Sequence, residues 1–197
     1  MIPLWLKLGY TLMTLIIIVI YLRKYGAGNL LWFSDIALIV TVPALWLENN
    51  FLASMMAVGV LMPELLWNLS YFTRLLTGKR VTGITDYMFE PERPTYLKLL
   101  SLFHVPLPAI LLWMVWKLGY AEQAVLAQTA LILVVLPISY FLVDPQRNVN
   151  WVWGIGGEGY KQTKYPPLVF LGILMIVPLV FVVLPTHLVL QYFFGTG

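Results

Sequence analysis

The sequence predicts an all-α fold: a polytopic integral membrane bundle of six transmembrane helices forming one domain over residues 1–197. Two observations point there. The chain is 60% hydrophobic and only 11% charged, whereas a soluble domain carries roughly 25% charged residues to cover its surface. The apolar residues also fall in blocks of about twenty, which match a hydrocarbon core of about 30 Å at 1.5 Å per helical residue. Outer-membrane barrels instead show alternating segments of about ten residues. Stretches such as Leu15 to Ile20 and Leu168 to Leu184 do not alternate.

The first span is expected at 4–22. Lys7 alone precedes its apolar core, and Arg23 and Lys24 follow it. That is the reverse of a secretory signal, so it reads as a retained span. The second and third spans, 29–47 and 51–70, are joined by the tight turn Glu48-Asn49-Asn50. The fourth and fifth, 96–116 and 122–143, are joined by 117–121. The sixth covers 167–193. Two loops are long, 71–95 and 144–166, and glycine and proline interrupt both.

Orientation follows from the bias of Lys and Arg toward cytoplasmic loops. Arg23, Lys24, Arg74, Lys79, Arg80, Arg93, Lys98, Arg147, Lys161 and Lys164 fall at one face of a six-span layout, and only Lys7 and Lys117 at the other. Both termini are then outside, the long loops cytoplasmic, and the membrane a bacterial-type inner or plasma membrane. Trp5, Trp32, Trp46, Trp67, Trp113 and Trp116 sit near span ends, as interfacial tryptophans do. The chain has no cysteine. Disulfides, thiolate metal sites and cysteine nucleophiles are excluded.

Ionisable groups inside spans are expensive and mark function by default. Counting helical rise, Asp35 and Glu64 each lie ~9 Å from the cytoplasmic end of their spans, and His104 ~12 Å. Three helices thus carry an ionisable group at one level, with Ser34, Asn68 and Ser101 within about a turn and Asp144 just below. Asp35, Glu64 and His104 are the candidate catalytic residues. A divalent metal held by the three is possible, since carboxylate and imidazole are ordinary ligands for one. A structural hydrogen-bonded network is the other reading. Pro63, Pro106 and Pro108 flank this level and free backbone carbonyls there. In the last long loop, Asp144, Arg147, Asn148 and Asn150 are candidates, with Ser34, Asn68 and Ser101, to bind a lipid head group. His187 is expected near the outer surface, at a different depth from His104.

Two motif matches carry no function. Gly154-Ile155-Gly156-Gly157-Glu158-Gly159 matches G-x-G-x-x-G, but that pattern works only between a strand and a helix. Asn68-Leu69-Ser70 matches a glycosylation acceptor at the cytoplasmic boundary, where none is used. Ser34, Asp35, His104 and His187 on separate spans bring to mind intramembrane hydrolases of the alkaline ceramidase and adiponectin-receptor kind. That family has seven spans and a paired H-x-x-x-H; this chain has two histidines and cannot build a three-histidine zinc site. Membership is not assigned.

The function expected is a small membrane enzyme acting on a lipid or isoprenoid from the cytoplasmic leaflet. The alternatives are a transporter or ion-pathway subunit and a non-catalytic subunit of a membrane complex. Membrane lipids are the expected partners. Nucleic acid is not, and other protein subunits or further copies of the chain are compatible with the sequence.

Overall fold

The computed structural model describes residues 1–195. Those residues are helical and turn-rich, with no strand among them beyond an isolated bridge between Tyr120 and Gly195. Helix α1 spans Leu4–Tyr25, α2 Phe33–Leu47, α3 Asn50–Thr77 and α4 Thr95–Ser101. They are followed by α5 at Pro106–Leu118, α6 at Ala124–Leu142, α7 at Pro167–Pro178 and α8 at Leu184–Phe194. A 3-10 turn at Leu102–His104 joins α4 to α5, and a π-helical turn at Leu179–Val183 joins α7 to α8. Each of these pairs therefore runs as one rod.

Five rods are long and apolar enough to cross a membrane: Leu4–Tyr25, Asn50–Thr77, Thr95–Leu118, Ala124–Leu142 and Pro167–Phe194. The expected second span differs. Its helix, α2, has 15 residues, or about 22 Å of rise against a core of about 30 Å. The segment 29–47 was expected to be continuous helix, but its start is a separate 3-10 turn, Ala27–Leu31. Two features break it there. Gly26 holds φ 78° and ends α1, a conformation that glycine adopts without the Cβ clash other residues meet. Asn29 turns its side chain to Asp35.

The third span departs the other way. It was expected to end at 70, yet α3 runs to Thr77, so its 28 residues extend about 42 Å and outreach the core by about 12 Å. The last turns are tied to the loop that follows. Arg74 in the last turn holds Asp86 of the following loop, and Arg80 grips the same carboxylate. The helix starts cleanly because the Asn49 side chain accepts the Leu52 N–H at 2.8 Å, one of the four orphan donors of a helix start.

Helix α3 is the hub. It packs on α2, α5, α6 and α8, while α1 lies against α2 and α6 against α7. Its small residues Ala53, Ser54, Ala57 and Gly59 explain why. In lipid, apolar helices gain little by leaving their surroundings, so small residues that allow close backbone approach favour association. Ala53, Ser54 and Ala57 are fully buried. A Cβ added at Gly59 would overlap the Gln128 amide of α6. The outward faces of α1 and of α7 with α8 are rows of exposed leucine, isoleucine, valine and phenylalanine, as surfaces bathed in hydrocarbon are.

Candidate functional site

The residues that matter gather at the end of the bundle carrying the long loops. Glu64 and His104 meet there: the imidazole Nδ1 lies 2.7 Å from Glu64 Oε2. The Glu64 side chain is 3% exposed and that of His104 13%. Helix α3 supplies the first and the 3-10 turn before α5 the second. That turn exists because Pro106 opens the next helix, where a proline costs nothing, and it swings His104 inward. Asn68, one turn below Glu64, donates to the carbonyls of Glu64 and His104 at 2.8 and 2.7 Å. It ties the two segments together. The imidazole is stacked between Trp67 and Phe103, with ring centroids 4.6 and 4.2 Å away, which fixes its plane.

Asp35 is the third expected member. It sits in the first turn of α2 and is 3% exposed. A carboxylate near a helix N-terminus faces the positive end of the helix dipole. Its Oδ2 accepts from Asn29 at 3.1 Å. Ser34 lies next to it, half-buried. Ser101 accepts a place between Tyr21 and the Leu97 carbonyl, at 3.3 and 3.1 Å. Of the residues counted to one level from helical rise, Glu64 and His104 meet, while Asp35 bonds Asn29 and Ser101 bonds Tyr21.

The expected three-ligand metal site is not assembled. No group of three His, Cys, Asp or Glu side chains among the described residues is arranged to hold a metal ion. The reason is local: Glu64 takes up His104 Nδ1, and Asp35 turns toward Asn29.

The last long loop departs from its expected role. Asp144 caps a short turn by accepting from the Gln146 N–H. Asn148 is buried and its amide bonds the carbonyls of Gly154 and Gly156, while its Oδ1 accepts from the Trp153 N–H. Asn150 donates to the Leu31 carbonyl and the Ser139 hydroxyl and accepts from the Phe33 N–H. Asn148 thus folds the loop on itself, and Asn150 ties it to the turn before α2, to α2 and to α6; both amides are taken up by these bonds. Asn148, Asn150 and Trp151 all have φ near +50°, tolerable for asparagine and uncommon for tryptophan. The loop is held in a strained shape by those bonds. Only Arg147 keeps a polar end toward the site: its guanidinium lies over the Tyr25 ring at 4.8 Å and reaches Asn29 Oδ1 at 3.5 Å.

Several site residues carried no signal in the sequence. Tyr21, Trp67 and Tyr87 read as apolar or interfacial residues, yet each turns a polar atom inward. Trp67 Nε1 donates to the Tyr87 hydroxyl at 3.0 Å. Burial pushes the Tyr87 phenol above its ordinary range, and Trp67 only partly offsets it, so this hydroxyl stays neutral while it accepts the Trp67 N–H. Arg93 donates to the Tyr25 hydroxyl at 3.2 Å.

The second histidine belongs elsewhere. His187 Nδ1 lies 2.7 Å from the Tyr120 hydroxyl, at the end where α5 turns into α6. The backbone there is tied by the Ala121 N–H to Ser54 Oγ and by Tyr120 N–H to the Phe194 carbonyl. Burial pushes the Tyr120 phenol up to about 12, so it too is neutral.

Compared with known proteins, the sequence matches no family model, and no curated protein or solved structure matches the chain.

Proposed function

We propose that the chain crosses the bilayer six times with both termini outside, and that it is a small membrane enzyme in which Glu64 and His104 form an acid–base pair. Its substrate is a lipid or isoprenoid that enters from the cytoplasmic leaflet. The observation that carries this reading is the 2.7 Å contact between a 3%-exposed carboxylate and an imidazole on two separately positioned segments.

With Nδ1–H donated to Glu64, the imidazole is left with its Nε2 lone pair. Nε2 accepts the proton of a water or substrate hydroxyl as that oxygen bonds to an electrophilic carbon or phosphorus of the lipid. The same proton is then given to the leaving oxygen as its bond breaks. Glu64 is a positioning residue: it fixes the tautomer and offsets the charge on the imidazolium. Tyr21, Ser101 and Asp35 supply polar groups at the same level.

A cleft of about 440 Å³ lies between α1 and α5, lined by Pro3, Trp5, Leu6, Pro106, Ala109, Ile110 and Trp113. It begins at Pro106, two residues beyond His104. Its other lining residues, at the start of α1 and the far part of α5, open it away from the long loops, so it is not the entry for this substrate. Six crossings are supported by α2 with its preceding 3-10 turn, and the orientation by ten of twelve cationic residues at one end.

The test is turnover in lipid. Purified protein in nanodiscs of a total polar lipid extract is incubated, and lipid masses are compared before and after. Wild type is expected to convert at least one species, and Glu64→Gln to do so ~100-fold or more slowly, the scale of acid–base catalysis. A wild-type protein that alters no lipid mass overturns the reading.

A further inference from the structure

We propose that Arg93 and Arg147 form a clamp for a phosphate-bearing head group at the mouth of the Glu64–His104 site, which deepens the enzyme reading above and rests on it. The two arginines come from different long loops, yet both converge on Tyr25 in the last turn of α1. Arg93 Nη1 donates to the Tyr25 hydroxyl at 3.2 Å. The Arg147 guanidinium lies 4.8 Å from the centre of the same ring. One phenol thus brings two cationic groups to its two sides, both about three-quarters buried.

Two guanidinium groups that share one aromatic side chain repel, and an anion near both offsets that repulsion. The anions present are poor answers. Glu90 meets Arg93 at 3.3 Å and Glu158 meets Arg147 at 3.6 Å, and these carboxylates are 53% and 64% exposed. Exposed pairs of that kind are weak and readily exchanged. A phosphate offers each arginine paired oxygens that match its planar fork, the geometry for which arginine is preferred over lysine. Carboxylate partners that swing away cost little, so the clamp can open to a ligand without disturbing the bundle.

The clamp also points inward. Arg147 reaches Asn29 at 3.5 Å, and the same Asn29 side chain donates to the buried Asp35. Arg93 lies over the Tyr87 ring at 4.9 Å, and Tyr87 bonds Trp67, which stacks on His104. Arg147 is therefore two contacts from Asp35 and Arg93 three contacts from His104. The substrate class the clamp selects is an amphiphile with a phosphate monoester or diester at the end of an apolar chain.

The test reads binding without turnover. Full-length protein in neutral detergent is melted with dioleoyl phosphatidic acid, dioleoyl phosphatidylcholine, dioleoylglycerol or inorganic phosphate. A ligand that binds the folded state raises the midpoint in proportion to the logarithm of its saturation. Phosphatidic acid is expected to raise the midpoint of wild type, and dioleoylglycerol not to. Arg93→Gln with Arg147→Gln should weaken the phosphatidic acid response at least ten-fold in concentration. Arg93→Lys with Arg147→Lys, which keeps charge and fold, should weaken it less. Arg23→Gln with Lys24→Gln, exposed cations outside the clamp, should leave it intact. Inorganic phosphate acting at the same concentration as phosphatidic acid keeps the anion site and makes its occupant a soluble phosphate compound. An unchanged response in the double glutamine variant, or an equal loss in the Arg23 and Lys24 variant, overturns the clamp. Repeating the titration on Glu64→Gln separates the two proposals: binding retained by that variant beside a wild type without turnover removes the enzyme reading and leaves the clamp.

Discussion

The chain has two histidines, and each sits 2.7 Å from a partner. Their settings differ in every other respect. His104 faces a buried carboxylate and is stacked with Trp67 and Phe103. His187 faces a neutral phenol beside a tight turn, among backbone bonds that join α8 to the α5–α6 connection. A histidine paired with a carboxylate can shuttle a proton, because the charge it acquires is answered. One paired with a phenol held near pKa 12 has no such answer at neutral pH and acts as a tie. The two ends of the bundle divide along that line, with a histidine–carboxylate pair at one and a histidine–phenol pair at the other.

The division is sharpened by breaking what holds the basic end in shape. Asn150→Ala removes three hydrogen bonds that join the last long loop to α2 and α6. It also places alanine at φ 54°. The expected loss is about 2–4 kcal/mol, from buried groups left unpaired and a residue forced into the left-handed region. A denaturation midpoint in detergent measures it. A loss below about 0.5 kcal/mol would mean that the loop is held by something other than these bonds.

A smaller effect is expected at the opposite end. Glu48 accepts from Lys7 and from the Ile2 N–H at 2.9 and 2.8 Å, and these bonds, Lys7 first, hold its carboxyl below the usual glutamate range. A lowered folded value stabilises the protein above the unfolded value of about 4.3 and ceases to do so as pH falls through the folded value. Wild type should therefore melt slightly above Glu48→Gln at pH 7, and the gap should close as pH drops below about 4. A gap that is constant with pH, or that widens in acid, contradicts this account of the turn.

Much of the architecture was legible in the sequence, since hydropathy reads span length directly. Its errors have causes at particular residues. The segment 29–47 was counted as one helix because Leu30, Leu31 and Trp32 are apolar, but Gly26 and the Asn29–Asp35 bond set the helix start at Phe33. The third span was expected to end at Ser70, yet α3 continues through Arg74 to Thr77, with Arg74 held by Asp86 of the following loop. Counting helical rise brought Glu64 and His104 to one depth, and the structure joins them. It could not show which way each helix is turned. Asp35 faces Asn29 rather than a shared metal, and Asn148 and Asn150 face backbone. Tyr21, Tyr87 and Arg93 were invisible as members of the site, because one polar atom on an aromatic ring, or one cation in a loop of several, has no periodic signature. Gln128, buried against Gly59, was overlooked for the same reason. Its amide lies by a residue whose carbonyl Pro63 deprives of its helical partner.

The most direct test sets His104→Gln beside His187→Gln, measuring lipid turnover and melting midpoint in the same preparations. Glutamine can still donate to Glu64 but cannot carry a proton. His104→Gln is expected to hold its midpoint within a few degrees of wild type and to lose ~100-fold or more in turnover, the scale of a removed general base, while His187→Gln keeps its turnover. Retained turnover in His104→Gln, or a loss that merely follows a collapsed midpoint, would contradict the account and make the Glu64–His104 pair a structural tie.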